Sequence, residues 1–178
     1  MRSTAVHSAV ESMQMMAHDM PTAEAGRLFE LTSFLEGHST AWGVFEDRFG
    51  KVRRRFAVDL IGSWQDETFK LEEMFTYEDH THETRVWLVV PAGDGRFTAT
   101  SADCVGTAHG TCSVDQIQMS YRFRLKMDAR EIQVDFEDRF YRVGDGFAVN
   151  RAIMRKWGVK LGEVSLFFAA GGKLDRAR

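Results

Sequence analysis

Charged side chains stand among apolar residues of the same parity in several stretches of this sequence. Glu73 alternates with Leu71 and Phe75, and Asp138 has a phenylalanine two residues away on either side. A charge on a buried strand face must find a partner of opposite sign or shift its pKa. Residues in this setting are Glu73, Arg85, Asp138, Arg151 and Glu163. Both signs are present, so these side chains could neutralise one another inside a folded protein.

The charged residues support two interpretations. In the first they are paired ions, or a bulge changes the local parity, and they have only a structural role. In the second, one arginine is left partly free, and its guanidinium presents two parallel donors to the anionic head group of a ligand. A phenol nearby would add a donor, and Phe and Met side chains would contact the rest of the ligand. The candidate ligand-binding residues are Arg85, Arg151, Tyr121, Tyr141, Glu73, Asp138 and Glu163.

Other groupings carry less chemical information. His80 and His82 lie among acidic residues, which is the composition of a metal site, but they fall at a predicted turn and would need further ligands. The basic run from Lys51 to Arg55 reads as a solvated strand start, with a phosphate or lipid-surface contact as the alternative. Nucleophile elbows, zinc-protease motifs and nucleotide-binding fingerprints do not occur in the sequence. We predict no catalytic residues, no metal and no cofactor.

The elements that hold these residues are predicted to be β-strands. From Ile117 to Met127 every odd-numbered residue is apolar or aromatic and every even-numbered one is polar or charged. Similar runs, separated by short glycine turns, continue from about Ala41 to Phe168 and leave no room for crossover helices. Many strands joined in this way curl until their edges meet. We predict an all-β protein: a single closed antiparallel meander barrel of about nine strands.

Two further details depend on where the turns fall. The stretch from Arg96 to Ala108 is predicted to be one strand. The sequence has two cysteines, Cys104 and Cys112, placed symmetrically about Ala108. A turn near Ala108 would set them opposite one another across a hairpin, as reduced thiols or, alternatively, as a disulfide.

The amino-terminal segment has a helical pattern that ends at Pro21. Its apolar residues recur at steps of three and four: Val6, Ala9, Val10, Met13, Met16, Ala17 and Met20. The segment is either a frayed tail or an amphipathic arm that docks on the barrel, plugs its mouth or forms a homodimer. We therefore divide the chain into an arm (1–26), a barrel domain (27–170) and a tail (171–178).

Size and charge restrict the function further. At 178 residues the chain fits one domain, and its net charge of −3 gives no general attraction to nucleic acid. Neither a secretory apolar stretch near the start nor a run of about 20 apolar residues occurs, so we expect a cytoplasmic protein without integral membrane contact.

We predict a protein that binds a small apolar or amphipathic molecule in the barrel. The alternatives are an enzyme that uses a buried acid, and a structural or assembly protein with a filled core.

Several short strings resemble a known family. They are Ala41-Trp-Gly43, Gly62-Ser-Trp64, Arg85-Val-Trp87, Val134-Asp-Phe136, the stretch from Asn150 to Gly158, and Leu161-Gly-Glu163. They resemble the bacterial domain of unknown function 3833, over about residues 28–170. The resemblance implies a lipocalin-like, or calycin-like, barrel and assigns no activity or functional residues. Some members look like envelope lipoproteins, whereas this sequence shows no signal or lipidation cysteine near its start.

Overall fold

The computed structural model of the protein describes residues 26–127 and 130–171. The predicted arm up to residue 25 and the predicted tail from residue 172 lie outside the described residues. The described part contains one short helix and ten strands. Their bounds are α1 Leu31–Leu35, β1 Gly37–Asp47, β2 Val52–Gln65, β3 Thr68–Tyr77, β4 His82–Pro91, β5 Arg96–Ser101, β6 Cys104–Cys112, β7 Gln116–Met127, β8 Arg130–Gly144, β9 Phe147–Lys156 and β10 Val159–Ala170.

The ten strands form a closed antiparallel barrel in which each strand pairs with its neighbours in sequence. The barrel closes where β1 pairs with β10, from Ser39 opposite Ala170 to Asp47 opposite Gly162. The prediction of a closed antiparallel meander is therefore confirmed. The strand number is ten rather than about nine, and the helical content of the described part is minor.

The additional strand arises within the stretch from Arg96 to Ala108, where a single strand was predicted. The chain turns between Ser101 and Cys104, which separates β5 from β6, and Ala99 then pairs with Ala108 across the new hairpin. The single-strand prediction is wrong because this turn contains neither glycine nor proline, the residues that most clearly mark a turn in a sequence.

The position of this turn also decides the geometry of the cysteines. Cys104 and Cys112 are the first and last residues of β6, and both thiols are free. At a rise of about 3.4 Å per residue, the ends of such a strand lie on the order of 25 Å apart. A disulfide needs Cα atoms within roughly 7 Å. The placement of the two cysteines across a hairpin, and with it the disulfide alternative, is wrong.

Strand β7 shows how the alternation is used. Ile117, Met119 and Phe123 are buried inside the barrel. Arg122, between them in the alternation, lies on the outer wall, where its Nε donates to Asp135 Oδ1 at 2.8 Å. The interior is continuous from strand to strand, because each of the ten strands contributes buried residues to one apolar cluster. The period of two therefore separates a dry interior from a wet exterior in this strand, as predicted.

Helix α1 and the residues before it cover one end of the barrel. The backbone N–H of Phe29 donates to the carbonyl oxygen of Ser113 at 2.7 Å, which ties this lead-in to the turn between β6 and β7. Leu35 is 1% exposed, and the chain then passes from α1 directly into β1. We call this the closed end.

The opposite end carries the turns that join β1 to β2, β3 to β4, β5 to β6, β7 to β8 and β9 to β10. No described helix covers these turns. We call this end the mouth. The barrel therefore has two unlike ends, one covered by a helix and one formed by hairpin turns.

The seal at the closed end predicts a sensitivity at Gly62. A Cβ at this position would collide with the backbone carbonyl of Leu35 and the ring of Phe69. We expect Gly62→Ala to lower the free energy of unfolding by about 1–3 kcal/mol, measured by urea denaturation. Gly144→Ala is the matched control, because its Cβ would lie at an ordinary 3.7 Å from the Phe147 ring. Equal effects of the two substitutions would contradict the proposed close contact at Gly62.

Candidate functional site

The barrel encloses a cavity of about 460 Å³. Leu31 and Leu35 of α1 form its floor at the closed end, and its walls are mainly aliphatic and aromatic. At the mouth the lining includes Arg54 and Lys126, which are exposed to solvent, so the cavity reaches the surface there. This combination of an apolar chamber with a polar entrance is typical of small-molecule sites.

Four polar side chains face one another about halfway along the cavity. They are Glu73 on β3, Arg85 on β4, Tyr121 on β7 and Asp138 on β8, and we call them the polar cluster. Pairing of β3 with β4 sets Glu73 opposite Arg85, and pairing of β7 with β8 brings Tyr121 close to Asp138. The sequence predicted all four residues as candidates, and the fold brings them together.

The contacts within the polar cluster are few and long. Arg85 Nη1 lies 3.9 Å from Glu73 Oε2, while Arg85 Nη2 lies 2.9 Å from Oε1 of Glu83, near the mouth. The hydroxyl of Tyr121 donates to Asp138 Oδ2 at 3.3 Å. Arg85 therefore has a closer ionic contact with Glu83 than with the acid inside the cavity.

Aromatic rings hold the cluster in place. The Arg85 guanidinium carbon lies 4.6 Å from the ring centre of Phe123 and 5.0 Å from that of Phe75. Tyr121 stacks on Phe136 and meets Trp87 edge-on, with centroid distances of 5.3 and 5.2 Å. Such contacts favour the charged guanidinium and restrict the rotamers of the polar side chains.

Burial shifts the pKa values of the cluster toward uncharged acids. Removal from water raises the pKa of Asp138 from 3.8 to about 7, although the hydrogen bond from Tyr121 acts in the opposite direction. Burial also raises the pKa of Glu73 despite the attraction of Arg85. Burial opposes the charge on Arg85, but Glu73, Tyr121 and Glu83 together raise its pKa above the ordinary value. Near neutral pH the cluster thus contains a charged guanidinium and an acid that can gain or lose a proton.

Some polar atoms at the cavity have no hydrogen-bond partner among the described residues. They are Nε of Arg85, Oδ1 of Asp138 and Nδ2 of Asn150. All three residues line the cavity, and Asn150 is 2% exposed. A buried polar group without a partner costs about 1–3 kcal/mol. The cavity therefore offers both donors and an acceptor to a molecule that can use them.

The other predicted site residues lie on the outer wall. Arg151 donates through Nε to Glu163 Oε1 at 2.6 Å, and Lys160 Nζ lies 2.7 Å from Glu163 Oε2. The hydrogen bond from Arg151 lowers the pKa of Glu163 despite partial burial. Tyr141 follows the inward-facing Phe140 on β8 and does not line the cavity. Arg151 and Glu163, two of the candidate ligand-binding residues, therefore pair with each other outside the cavity.

The sequence of β9 and β10 did not show on which side of the barrel these charged residues lie. Their outer faces carry Val149, Ile153 and Phe167, so apolar residues of the outward parity surround the charged ones. The inner face of β9 is instead formed by Ala148, Asn150, Ala152 and Met154, which are all buried. Alternation alone therefore cannot tell the two faces of these strands apart.

Sequence reasoning missed four polar residues that line the cavity: Arg54, Tyr77, Lys126 and Asn150. Tyr77 has the parity of Glu73 on β3. Arg54 has the parity of the inward residues Phe56 and Val58, which was a usable signal. Asn150 likewise shares its parity with buried neighbours. Lys126 gave no signal, because its even position in β7 predicts the outer face, and it reaches the cavity only at the mouth.

The histidine pair gains no support as a metal site. His82 begins β4, and its Nδ1 lies 3.3 Å from the Thr76 hydroxyl. Within residues 26–127 and 130–171 there is no group of three or more His, Cys, Asp or Glu residues placed to hold a metal ion.

The outer wall carries a second concavity, of about 650 Å³. It runs across β1, β2, β3, β9 and β10 and is bordered by Trp42, Ala57 and Phe167. It is a shallow surface groove. The polar cluster lies on the opposite side of the wall, so the interior cavity is the stronger candidate site.

The fold and the cavity define a class: closed antiparallel β-barrels with an internal, largely apolar chamber and a mid-barrel polar cluster. A family described as "Protein of unknown function (DUF3833)" matches residues 8–170, nearly the whole chain. The protein belongs to this family. No curated protein and no solved structure matches the chain. In the part of the chain that the structure describes, no helix has the length and apolar character needed to cross a membrane.

The raised pKa of Asp138 predicts a pH dependence of stability. In the unfolded chain the carboxyl ionises near 3.8, whereas in the fold it holds its proton to about 7. The stability that the protonated Asp138 carboxyl contributes is complete below the pKa of the unfolded chain and is lost as the pH rises toward 7. The loss is at most about 4 kcal/mol for a shift of roughly three pKa units.

The substitution Asp138→Asn keeps an acceptor for the Tyr121 hydroxyl but cannot ionise. We expect the unfolding free energy of the variant, measured by urea denaturation, to increase relative to that of the wild type between pH 5 and pH 8. A constant difference across this range would contradict the raised pKa.

Proposed function

We propose that this protein binds a small, mainly apolar molecule inside the barrel and holds one polar group of that molecule at the polar cluster. The observation that carries the proposal is a cavity of about 460 Å³ whose lining includes Arg85, Asp138 and Asn150, each with a buried polar atom that has no hydrogen-bond partner among the described residues. Its size falls within the roughly 300–1,000 Å³ common for ligand sites. A barrel with a filled core, the structural alternative, would not need such a space.

The charges of the cluster favour a ligand whose polar group both donates and accepts hydrogen bonds. Arg85 already contacts Glu83 and Glu73, so its charge is partly compensated before any ligand arrives. Its free Nε can donate, while Asp138 can accept or donate according to its protonation. A hydroxyl or a carboxylic acid at the end of an apolar body has the required chemistry. An anionic head group remains within the class, since Arg85 stays charged.

The proposal predicts that filling the cavity abolishes binding. Ala152 lines the cavity and is 4% exposed, so Ala152→Phe places a ring in the ligand space. We expect the apparent affinity for the neutral probe N-phenyl-1-naphthylamine, measured by its fluorescence enhancement, to fall at least about tenfold. Native mass spectrometry of the wild type purified without denaturation should also show an adduct of lipid size.

Ala57→Phe is the matched control, because Ala57 borders the outer groove rather than the cavity. It should leave probe binding in the cavity unchanged. Both variants need an unfolding curve to show that they are folded. Absence of probe binding and of any adduct in the wild type would remove the proposed function.

A second candidate function is an enzyme that moves a proton on the bound molecule. The observation that favours it is a carboxyl with a pKa of about 7, Asp138, hydrogen-bonded to Tyr121 in an apolar cavity. To test it, the ligand recovered from wild type and from Asp138→Asn is compared by mass spectrometry after incubation in D₂O. Deuterium incorporation that depends on Asp138 supports catalysis, and equal incorporation in both proteins opposes it.

A further inference from the structure

Two large aromatic side chains project into solvent at the mouth. Phe49, in the turn between β1 and β2, is 79% exposed, and Trp157, in the turn between β9 and β10, is 89% exposed. The two turns are neighbours because β1 pairs with β10, and the backbone N–H of Arg48 donates to the carbonyl oxygen of Leu161 at 3.0 Å. We call Phe49 and Trp157 the tip rings. Scattered exposed apolar residues are common, but these two share one edge of the mouth.

Folding does not account for the ring of Trp157. Lys156 pairs with Val159, so Trp157 and Gly158 form a two-residue turn with φ values of 52° and 79°. Turns of this kind favour Asn, Asp or Gly at the first position, since other side chains are strained at positive φ. A tryptophan that is strained and solvent-exposed gains little from the fold. A residue that breaks a local rule without structural gain points to a binding role.

The ring of Phe49 is likewise unnecessary for its turn. Asp47 Oδ1 accepts hydrogen bonds from the backbone N–H groups of Phe49 and Lys51, at 2.9 and 3.1 Å. Gly50 supplies the positive φ of 78°. Backbone contacts therefore form the turn, and the side chain at position 49 is free to serve another purpose.

Cations surround the tip rings. The Arg48 guanidinium carbon lies 4.8 Å from the ring centre of Phe49, and Lys156 Nζ lies 4.9 Å from that of Trp157. Basic side chains on the turns of this half of the mouth are Arg48, Lys51, Lys126, Arg130 and Lys156.

Acidic residues at the mouth offset part of this charge: Glu131, on the hairpin of Lys126 and Arg130, lies opposite Lys126. Asp47, beneath the tip rings, pairs with Arg53 at 2.6 Å. Glu78 and Asp79 lie on the turn between β3 and β4, where they pair with Arg55 and Arg54. The two turns that carry the tip rings therefore hold more basic than acidic side chains, although the net charge of the whole chain is −3.

We infer that this sector of the mouth docks on the surface of an anionic phospholipid bilayer. The tip rings would enter the boundary between head groups and acyl chains, and the adjacent cations would contact lipid phosphates. Protruding rings that each carry a neighbouring cation match a surface that is charged outside and apolar beneath. The inference concerns an interaction surface and does not depend on what the cavity binds.

The test is co-sedimentation of the full chain with vesicles. We expect binding to phosphatidylcholine vesicles that contain about 30% phosphatidylglycerol, and weaker binding to pure phosphatidylcholine. Raising the salt to about 1 M should also weaken it. The double variant Phe49→Ser, Trp157→Ser should lose at least about tenfold in affinity for the anionic vesicles.

The matched control changes exposed apolar residues at the closed end. Trp64 is 42% exposed and Val114 is 39% exposed, and the double variant Trp64→Ser, Val114→Ser should bind vesicles like the wild type. Unfolding curves and binding of the naphthylamine probe report separately on the fold and the cavity. No binding of the wild type to anionic vesicles, unchanged binding of the tip-ring variant, or an equal loss in the control would each overturn the inference.

Discussion

The hydrogen-bonded seam between β1 and β10 is the constraint on which the interior depends. Without it the ten strands would form an open sheet with two free edges, and water would reach the polar cluster from one side. The seam is close-packed because glycine stands at Gly43 and Gly162, where a Cβ would press on the backbone oxygens of Ser165 and Glu46. Closure thus removes water from Asp138, and the removal of water is what raises its pKa.

The polar cluster costs desolvation free energy in such an interior. Replacing a buried ion pair with apolar residues of similar volume is often neutral or stabilising. In the polar cluster, Arg85 lies 3.9 Å from Glu73, and Arg85 and Asp138 each have an unpaired polar atom. The cluster therefore does not fully compensate the cost of its own desolvation. Stability alone therefore gives no reason for these residues. The proposed role toward a molecule in the cavity would supply one.

How far the sequence predicts this structure differs from strand to strand. In β7 the alternation from Ile117 to Met127 is unbroken, one face meets water, and the prediction is confirmed. In β9 both faces carry apolar residues, and the inner one is decided only by pairing with other strands, so the sequence did not show which face Arg151 occupies. The turn after Ser101 was not predicted because it contains neither glycine nor proline. The local pattern predicts well where strands occur, but which face of a strand points inward depends on pairing with distant strands.

The two unlike ends of the barrel give the cavity a direction. An apolar molecule that enters from water must first dissolve in it, and its low solubility then limits the rate of capture. Entry from a bilayer avoids this step if the opening is held against the lipid. The tip rings lie at the end where Arg54 and Lys126 line the cavity, whereas α1 covers the other end. The proposed docking surface and the opening of the cavity thus lie at the same end, as transfer of the proposed ligand between membrane and cavity would require.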